Sequence, residues 1–495
     1  MILTILISVT IILLYLKMRR TYKYWKNLNV IYLRPWPLFG YMAPSVLRLK
    51  AFPLILQKVY NVFPEQRYFG AFQFGTPVLF IRCPKMIKKI LGDDFETFPD
   101  RRSIMDADLD PIWAKNLHAM PGGDQWRNKR STLSLGFGDE NLEKTFESMK
   151  TCAKNLAYFF LERNSESVEL VDATSKFAND VIASAVFGVA CDSLQNRRNE
   201  FYSMSKHITE FNLLRLFKLF GYSVSPRLMK FFRFKIIEER TSRFYSGIVQ
   251  DRCSKEDNHL VSFFANNGIG NDNKDHLDEA IAQGIHFFVS GYETVSIGLS
   301  FVLYELAINN DIQLKLRKEV DSLMEACKDV SYAHVLHLDY LDMVVSESLR
   351  KWPPTVLIDR KSVRSFTIDA EQIWDTTTTF KENTLCLIPI FAIHRDKKYY
   401  PNPDEFVPER FSSTNRDNIV PNTYMPFGFG PRNCIGSQFA LLEIKTAVLY
   451  LVHEFEIVCT PKTKHPVKLS RTGFQLSPAG GLWVGLKARR TPETL

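Results

Sequence analysis

The densest chemistry in the chain lies in ten residues, Phe427 to Gly436, which read FGFGPRNCIG. A single cysteine, Cys434, sits in a loop with Gly428, Gly430 and Gly436, residues that permit close approach of the backbone. A helical pattern follows at once (QFALLEIK, 438–445), so the sulfur stands at a predicted helix N-terminus, where unpaired N–H groups and the positive dipole end favour an anion. A thiol there is expected to ionise readily, and a thiolate is both nucleophile and metal ligand. Arg432 adds a permanent cation two residues earlier. Four chemistries compete for such a loop. A buried structural cysteine is the commonest fate of a lone Cys, yet it needs neither the glycines nor the arginine. Zinc wants further Cys or His ligands, and the nearest histidines, His394 and His453, are distant in sequence. A phosphatase-type nucleophile wants an arginine shortly after the cysteine, and the helix has none there. Thiolate ligation of haem needs one sulfur, a shielding aromatic and a cation for a propionate. Cys434, Phe427 and Arg432 are of those three types.

The loop resembles the haem-binding loop of the cytochrome P-450 family, FxxGxRxCxG, at every fixed position: Phe427, Gly430, Arg432, Cys434 and Gly436. Other stretches carry the same resemblance in the family's order. SGYET (290–294) resembles its [AG]GxxT oxygen-activation motif, with Ser290 where Ala is more usual. An acid and an alcohol, Glu293 and Thr294, are the types a proton relay to bound dioxygen requires. Glu347 and Arg350, at i and i+3 in SESLR, followed by Arg410 in FVPERF, resemble the buried ion triad that braces the haem side. Trp126 and Arg130, at i and i+4, resemble the haem-propionate pair WxxxR, and Arg360 resembles a further propionate-binding arginine. Arg101 is another candidate for a propionate. His394 reads as a satisfied structural histidine, not an iron ligand.

These residues need particular elements beneath them. Residues 285–303 (IHFFVSGYETVSIGLSFVL) are apolar nearly all round and predict a helix through the core, the centre of a pattern running from Asp275 to about Ala326. Gly291 inside it costs roughly 1 kcal/mol against Ala. Glu293 costs more unless paired or hydrated. Such local violations tend to mark function. Thr294 can bond back to the Ser290 carbonyl and loosen the helix. Residues 68–82 predict a hairpin turning at Gly75-Thr76-Pro77, and 472–489 predict a closing strand after a turn that brings Phe474 to Pro478 near the cavity. The implied fold is mainly α with small β-sheets (α+β), a cytochrome P-450 fold with an N-terminal membrane anchor.

Composition bounds the rest. The 495 residues are 45% hydrophobic with 38 Phe, enough for a large core. Eight cysteines at irregular spacing give no disulfide framework and suit a reducing compartment. The net charge of +9 is carried by an arm: no acidic residue precedes Glu65, and beyond it the two signs balance. A nucleic-acid binder would carry its charge on the folded body, so that class is excluded. Residues 2–16 are an uninterrupted apolar run followed by Lys17, Arg19 and Arg20, which reads as a signal anchor with a cytosolic body. The expected organisation is an anchor segment at 1–20, a basic and proline-bearing hinge at 21–44, and a catalytic domain at 45–495. Two basic-aromatic stretches, 211–221 and 228–235, read equally as a membrane-dipping access region or as helices burying their apolar faces.

The resemblance implies a monooxygenase that inserts one oxygen atom of O2 into a small apolar substrate, with haem (iron protoporphyrin IX) as cofactor. It implies the endoplasmic reticulum as location. It also implies NADPH-derived electrons from a partner reductase, with a cytochrome b5-like donor as a second source, docking near Arg127, Lys129 and Lys445. An isomerase or dehydratase of the same fold, and a haem sensor without turnover, are the alternatives. The sequence wording is most like animal microsomal members of the xenobiotic-metabolising branch, in particular insect ones.

Overall fold

The computed structural model describes residues 16, 18–102, 108–163, 167–209, 218, 221–222, 225–235, 238–253, 259–266, 273–371 and 376–489. The expected anchor run, except Leu16, and most of 211–221 lie outside the described residues.

Eight helices of a dozen residues or more are found among them: α1 (Asp124–Leu135), α2 (Asp139–Arg163), α3 (Leu170–Ala185), α4 (Glu239–Cys253), α5 (Asn273–Ile308), α6 (Asn310–Ala326), α7 (Asp339–Lys351) and α8 (Ser437–Glu454). The 36-residue α5 is the axis of the fold and packs on α3, α4, α7 and α8. Its stretch from Leu277 is long and apolar enough to cross a membrane, but most of it is buried in the protein, as expected of a core helix. The single helical pattern expected from Asp275 to Ala326 is two helices, broken at Asn309, whose φ of −121° leaves the helical region. The Asn309 amide donates to the Glu305 carbonyl and carboxylate, a local alternative to continuing the ladder.

The β structure is small. A four-stranded sheet has the order β1 (Tyr68–Gln73), β2 (Thr76–Ile81), β7 (Leu385–Ile388), β4 (Ile358–Lys361), the last strand carrying Arg360. A three-stranded sheet joins β3 (Val168–Glu169), β9 (Trp483–Ala488) and β8 (Phe455–Val458), and a hairpin joins β5 (Phe366–Ile368) to β6 (Thr378–Phe380). The β1–β2 turn falls at Phe74-Gly75, not at Gly75-Thr76-Pro77, with Phe74 at φ 55°. Pro77 fits within β2 because pairing with β7 starts only at Val78, so its missing N–H is not needed.

Small residues set how closely α5 is approached. A Cβ on Gly291 would come 2.9 Å from Ile182 of α3, and one on Gly298 3.2 Å from Ile444 of α8. The helix interior glycines thus allow both neighbours to lie against the backbone of α5.

Candidate haem-thiolate site

Helix α8 begins at Ser437 with Gly436 as its N-cap, two residues after the cysteine. The loop before it is shaped by Gly428 (φ 78°) and Gly430 (φ 75°). A side chain on Gly430 would overlap the Leu91 carbonyl, so both sterics and φ demand glycine there. The Cys434 N–H donates to the Phe427 carbonyl at 2.8 Å, closing the loop on itself. Cys434 is solvent-accessible, although protein surrounds it closely. Easy ionisation is not what this environment gives. Burial raises the Cys434 thiol, and the Gly436 backbone N–H, Arg130 and Arg101 offset only part of that. The helix N-terminus alone therefore does not secure a thiolate at Cys434.

Five cationic or titratable groups from separate elements converge beside the loop. Arg101 donates to the Arg432 carbonyl at 2.9 Å, and Arg130 of α1 donates to Asn433 through both terminal nitrogens, at 2.9 and 2.7 Å. Arg432 donates to the Met120 carbonyl at 2.7 Å and lies 4.4 Å over the Trp126 ring. The Trp126 N–H is taken by the Leu117 carbonyl at 3.1 Å, so Trp126 acts on the site through Arg432 and not through its own donor. Arg360 is 1% exposed, and its Nε has no partner among the described residues; the same is true of the Arg432 Nε. Burial and mutual repulsion depress these cations: Arg360 well below the usual guanidinium value, Arg432 to about 9. His118 is pushed well down by burial and by Arg101, His286, Arg432 and Arg360. Asp359 and Asp100 relieve the crowding only in part. Buried like charges with unpaired donors call for an anionic ligand. One accessible sulfur beside such a group fits a haem held by Cys434 with its carboxylates among Arg101, Arg360 and Arg432.

Helix α5 carries Ser290, Glu293 and Thr294. The Thr294 hydroxyl donates to the Ser290 carbonyl at 2.5 Å. In the orientation that satisfies both groups, the Gln475 amide nitrogen donates to the two Glu293 oxygens at 2.8 and 2.6 Å. Burial raises Glu293 to about 7, and the Gln475 contact holds it from going higher. Segment 474–478 was expected near the cavity, but nothing in the sequence singles out Gln475 as the partner of Glu293.

Beneath the site, Glu347 and Arg350 are both fully buried and pair through two contacts of 2.7 and 2.9 Å. Arg410 approaches Glu347 at 3.4 Å, and the Val407 N–H donates to it at 2.9 Å. Arg350 also donates to the carbonyls of His394 and Pro403, which ties α7 to the segment before the cysteine loop. His394 is buried and held by the Arg350 carbonyl at 3.1 Å and the Met425 N–H at 3.0 Å. Burial lowers it to about 3, so it is neutral.

Two of the three cations expected to dock a reductase are unsuitable. Lys129 is buried against Glu279 at 2.7 Å, and Lys445 is buried against Asp342 at 2.6 Å. Only Arg127 is open to solvent, paired with Glu96.

Comparison with known proteins agrees with this geometry. The family described as Cytochrome P450 matches residues 32–483. The chain is 36% identical to "Cytochrome P450 9e2" of Blattella germanica over 98% of both chains. It is 32% identical to "Probable cytochrome P450 9f2" of Drosophila melanogaster, over 94% of this chain and 95% of the other. It is 31% identical to "Cytochrome P450 3A14" of Cavia porcellus, over 96% and 94%.

Proposed function

The chain belongs to the cytochrome P450 family of monooxygenases, and from that premise we propose that it oxygenates a small apolar substrate at a haem ligated by Cys434. Bound haem would supply dioxygen activation, which amino acid side chains cannot. The protein's own part is to hold, orient and move protons. Arg101, Arg360 and Arg432 would hold the two propionates, with Trp126 and Arg130 keeping Arg432 and the Asn433 turn in place. Phe427 and Gly436 would shape the loop around the sulfur, the Phe427 carbonyl taking the Cys434 N–H and the Gly436 backbone N–H favouring the thiolate.

Proton handling falls to Glu293 and Thr294. A carboxyl near 7 exists in both forms at neutral pH, the condition for taking up and releasing a proton in one cycle. The Thr294 hydroxyl, bound back to Ser290, can turn its other lone pair to a ligand in the cleft. Glu347, Arg350 and Arg410 brace the cysteine side without touching reactants. The chain holds no nucleotide-binding fingerprint for its own reductant, so an NADPH-dependent reductase would supply electrons. The apolar run at 2–16 and the basic arm that follows, together with the resemblance to microsomal members of the family, support attachment to the endoplasmic reticulum with the body in the cytosol.

The observation that carries this reading is the convergence of buried, anion-seeking arginines beside an accessible cysteine. The carbon-monoxide spectrum of the reduced protein tests it. The wild type should give the strongly red-shifted Soret band of thiolate ligation, and Cys434→Ala should lose it. A histidine-type band in the wild type would sink the assignment.

A further inference from the structure

A polar stripe runs along one face of the otherwise apolar α5: Glu279, Gln283, His286, Ser290 and Thr294, at helical spacings of three and four. Its first two members anchor the loop that follows Trp113. Glu279 binds Lys129 of α1, which in turn donates to the Lys115 carbonyl at 3.4 Å. Gln283, fully buried, accepts from the Leu117 N–H at 3.1 Å and donates to the Lys115 carbonyl at 3.2 Å. That clamp fixes the backbone on both sides of Asn116 and so sets the next residue but one, His118, against His286. The two rings lie 5.5 Å apart at a tilt of 40°. Trp113 stands edge-on to His286 at 6.0 Å, and Ser290 Oγ reaches the His286 Nδ1 at 3.3 Å.

The remaining nitrogens are available. His118 is solvent-exposed although protein surrounds it, and neither His118 nor the His286 Nε2 has a hydrogen-bond partner among the described residues. Burial and the nearby Arg101 lower His286 to about 4, and burial and the neighbouring cations push His118 well below its ordinary value, so both rings are neutral. A neutral imidazole whose Nδ1 accepts the Ser290 hydroxyl presents its Nε2–H outward as a donor. Beyond Trp113 a cleft of about 180 Å3 opens between Ile112 and the Ala282 and Ile285 turn of α5.

We propose that His118 and His286, set by Gln283 and walled by Trp113, form a hydrogen-bonding subsite that selects planar apolar substrates bearing a neutral acceptor oxygen, such as an aryl ketone. The subsite rests on reading this cleft as the substrate chamber. The arginines beside it do not make it an anion site, because their charge is directed to the propionates. Placing an imidazole pair in an apolar chamber costs desolvation that an oxygen-bearing ligand recovers and a hydrocarbon does not.

Equilibrium binding to the haem-loaded protein, by calorimetry, with 9-fluorenone and fluorene as a matched pair, tests this. Fluorene is the less polar and should bind tighter to a featureless apolar chamber. The subsite reverses that order, with fluorenone bound about fivefold or more tighter. In His286→Leu and His118→Phe the preference should fall to about unity or below while fluorene affinity stays within about twofold. The carbon-monoxide spectrum of each variant reports independently whether the haem-thiolate centre is intact, so loss of that centre is distinguished from loss of the subsite. Equal binding of the pair by wild type, or a ketone preference that survives both substitutions, overturns the proposal. Tighter binding of fluorene-9-carboxylate than of fluorenone also overturns it, in favour of an anion site on the arginines.

Discussion

Thr294 donates its hydroxyl to its own helix, and Glu293 lies under Gln475, so neither residue of the pair is idle and neither is locked. Replacing Thr294 with Ala should leave haem binding intact and uncouple electron use from product. The expected readout is peroxide release rising at the expense of substrate oxygenation in a reconstituted system, and unchanged coupling would place the proton path elsewhere. Glu293 gives a pH signature. Its folded value, about 7, lies above the ordinary 4.5, so its contribution to stability is full below 4.5 and is lost as pH rises through 7. The stability of wild type relative to Glu293→Gln should therefore fall by up to about 3 kcal/mol across that window, measured by denaturant unfolding. The residues legible in the sequence were those with an unusual type in a fixed spacing. Cys434, with its glycines and Arg432, is the clearest. His118 and Gln475 were not legible, because a single His or Gln in a loop has no period and acquires meaning only from a partner more than a hundred residues away. The ionisation of Cys434 was misjudged for a related reason: helix position is written in sequence, whereas burial is not.

At the scale of elements, α7 and the Pro408–Phe411 turn are joined through one carboxylate. Glu347 accepts from Arg350, Arg410 and the Val407 N–H at once. Glu347→Ala leaves a fully buried guanidinium without its counter-charge, which should cost about 3–5 kcal/mol. The measurement is thermal unfolding of the haem-loaded protein together with the fraction of haem retained, and both should fall. Long periodic elements such as α5 were readable because a helix buried on every side is apolar throughout. Its end at Asn309 was not, since Asn310–Ala326 continues the same period and only the Asn309 side chain interrupts it. The β1–β2 turn moved by one residue for a similar reason. Pro77 looks like a turn former locally, yet it is accepted in a strand whose second partner begins one residue later.

For the whole molecule, charge is segregated: the basic excess lies before Glu65 and the body balances. With Lys129 and Lys445 sequestered in buried pairs, long-range attraction of a redox partner has little to draw on. The KM for reductase should consequently rise by less than about threefold between roughly 50 and 300 mM salt. A steep dependence would point to a basic patch outside the three cations considered. The exposed Phe231 and Phe232, on a short helix at Pro226–Phe231 with Lys230 and Arg233 nearby, remain as apolar surface beside positive charge, the composition of a membrane-contacting edge.

The Gln475 contact has a consequence in time rather than in space. During synthesis the cysteine loop is made some forty residues before the amide that restrains Glu293, and β9, which joins strands near 168 and 455, comes later still. Glu293, made early on α5, thus stays without its amide donor until nearly the whole chain has been made. A chain cut short before Gln475 would be expected to leave Glu293 without its amide donor.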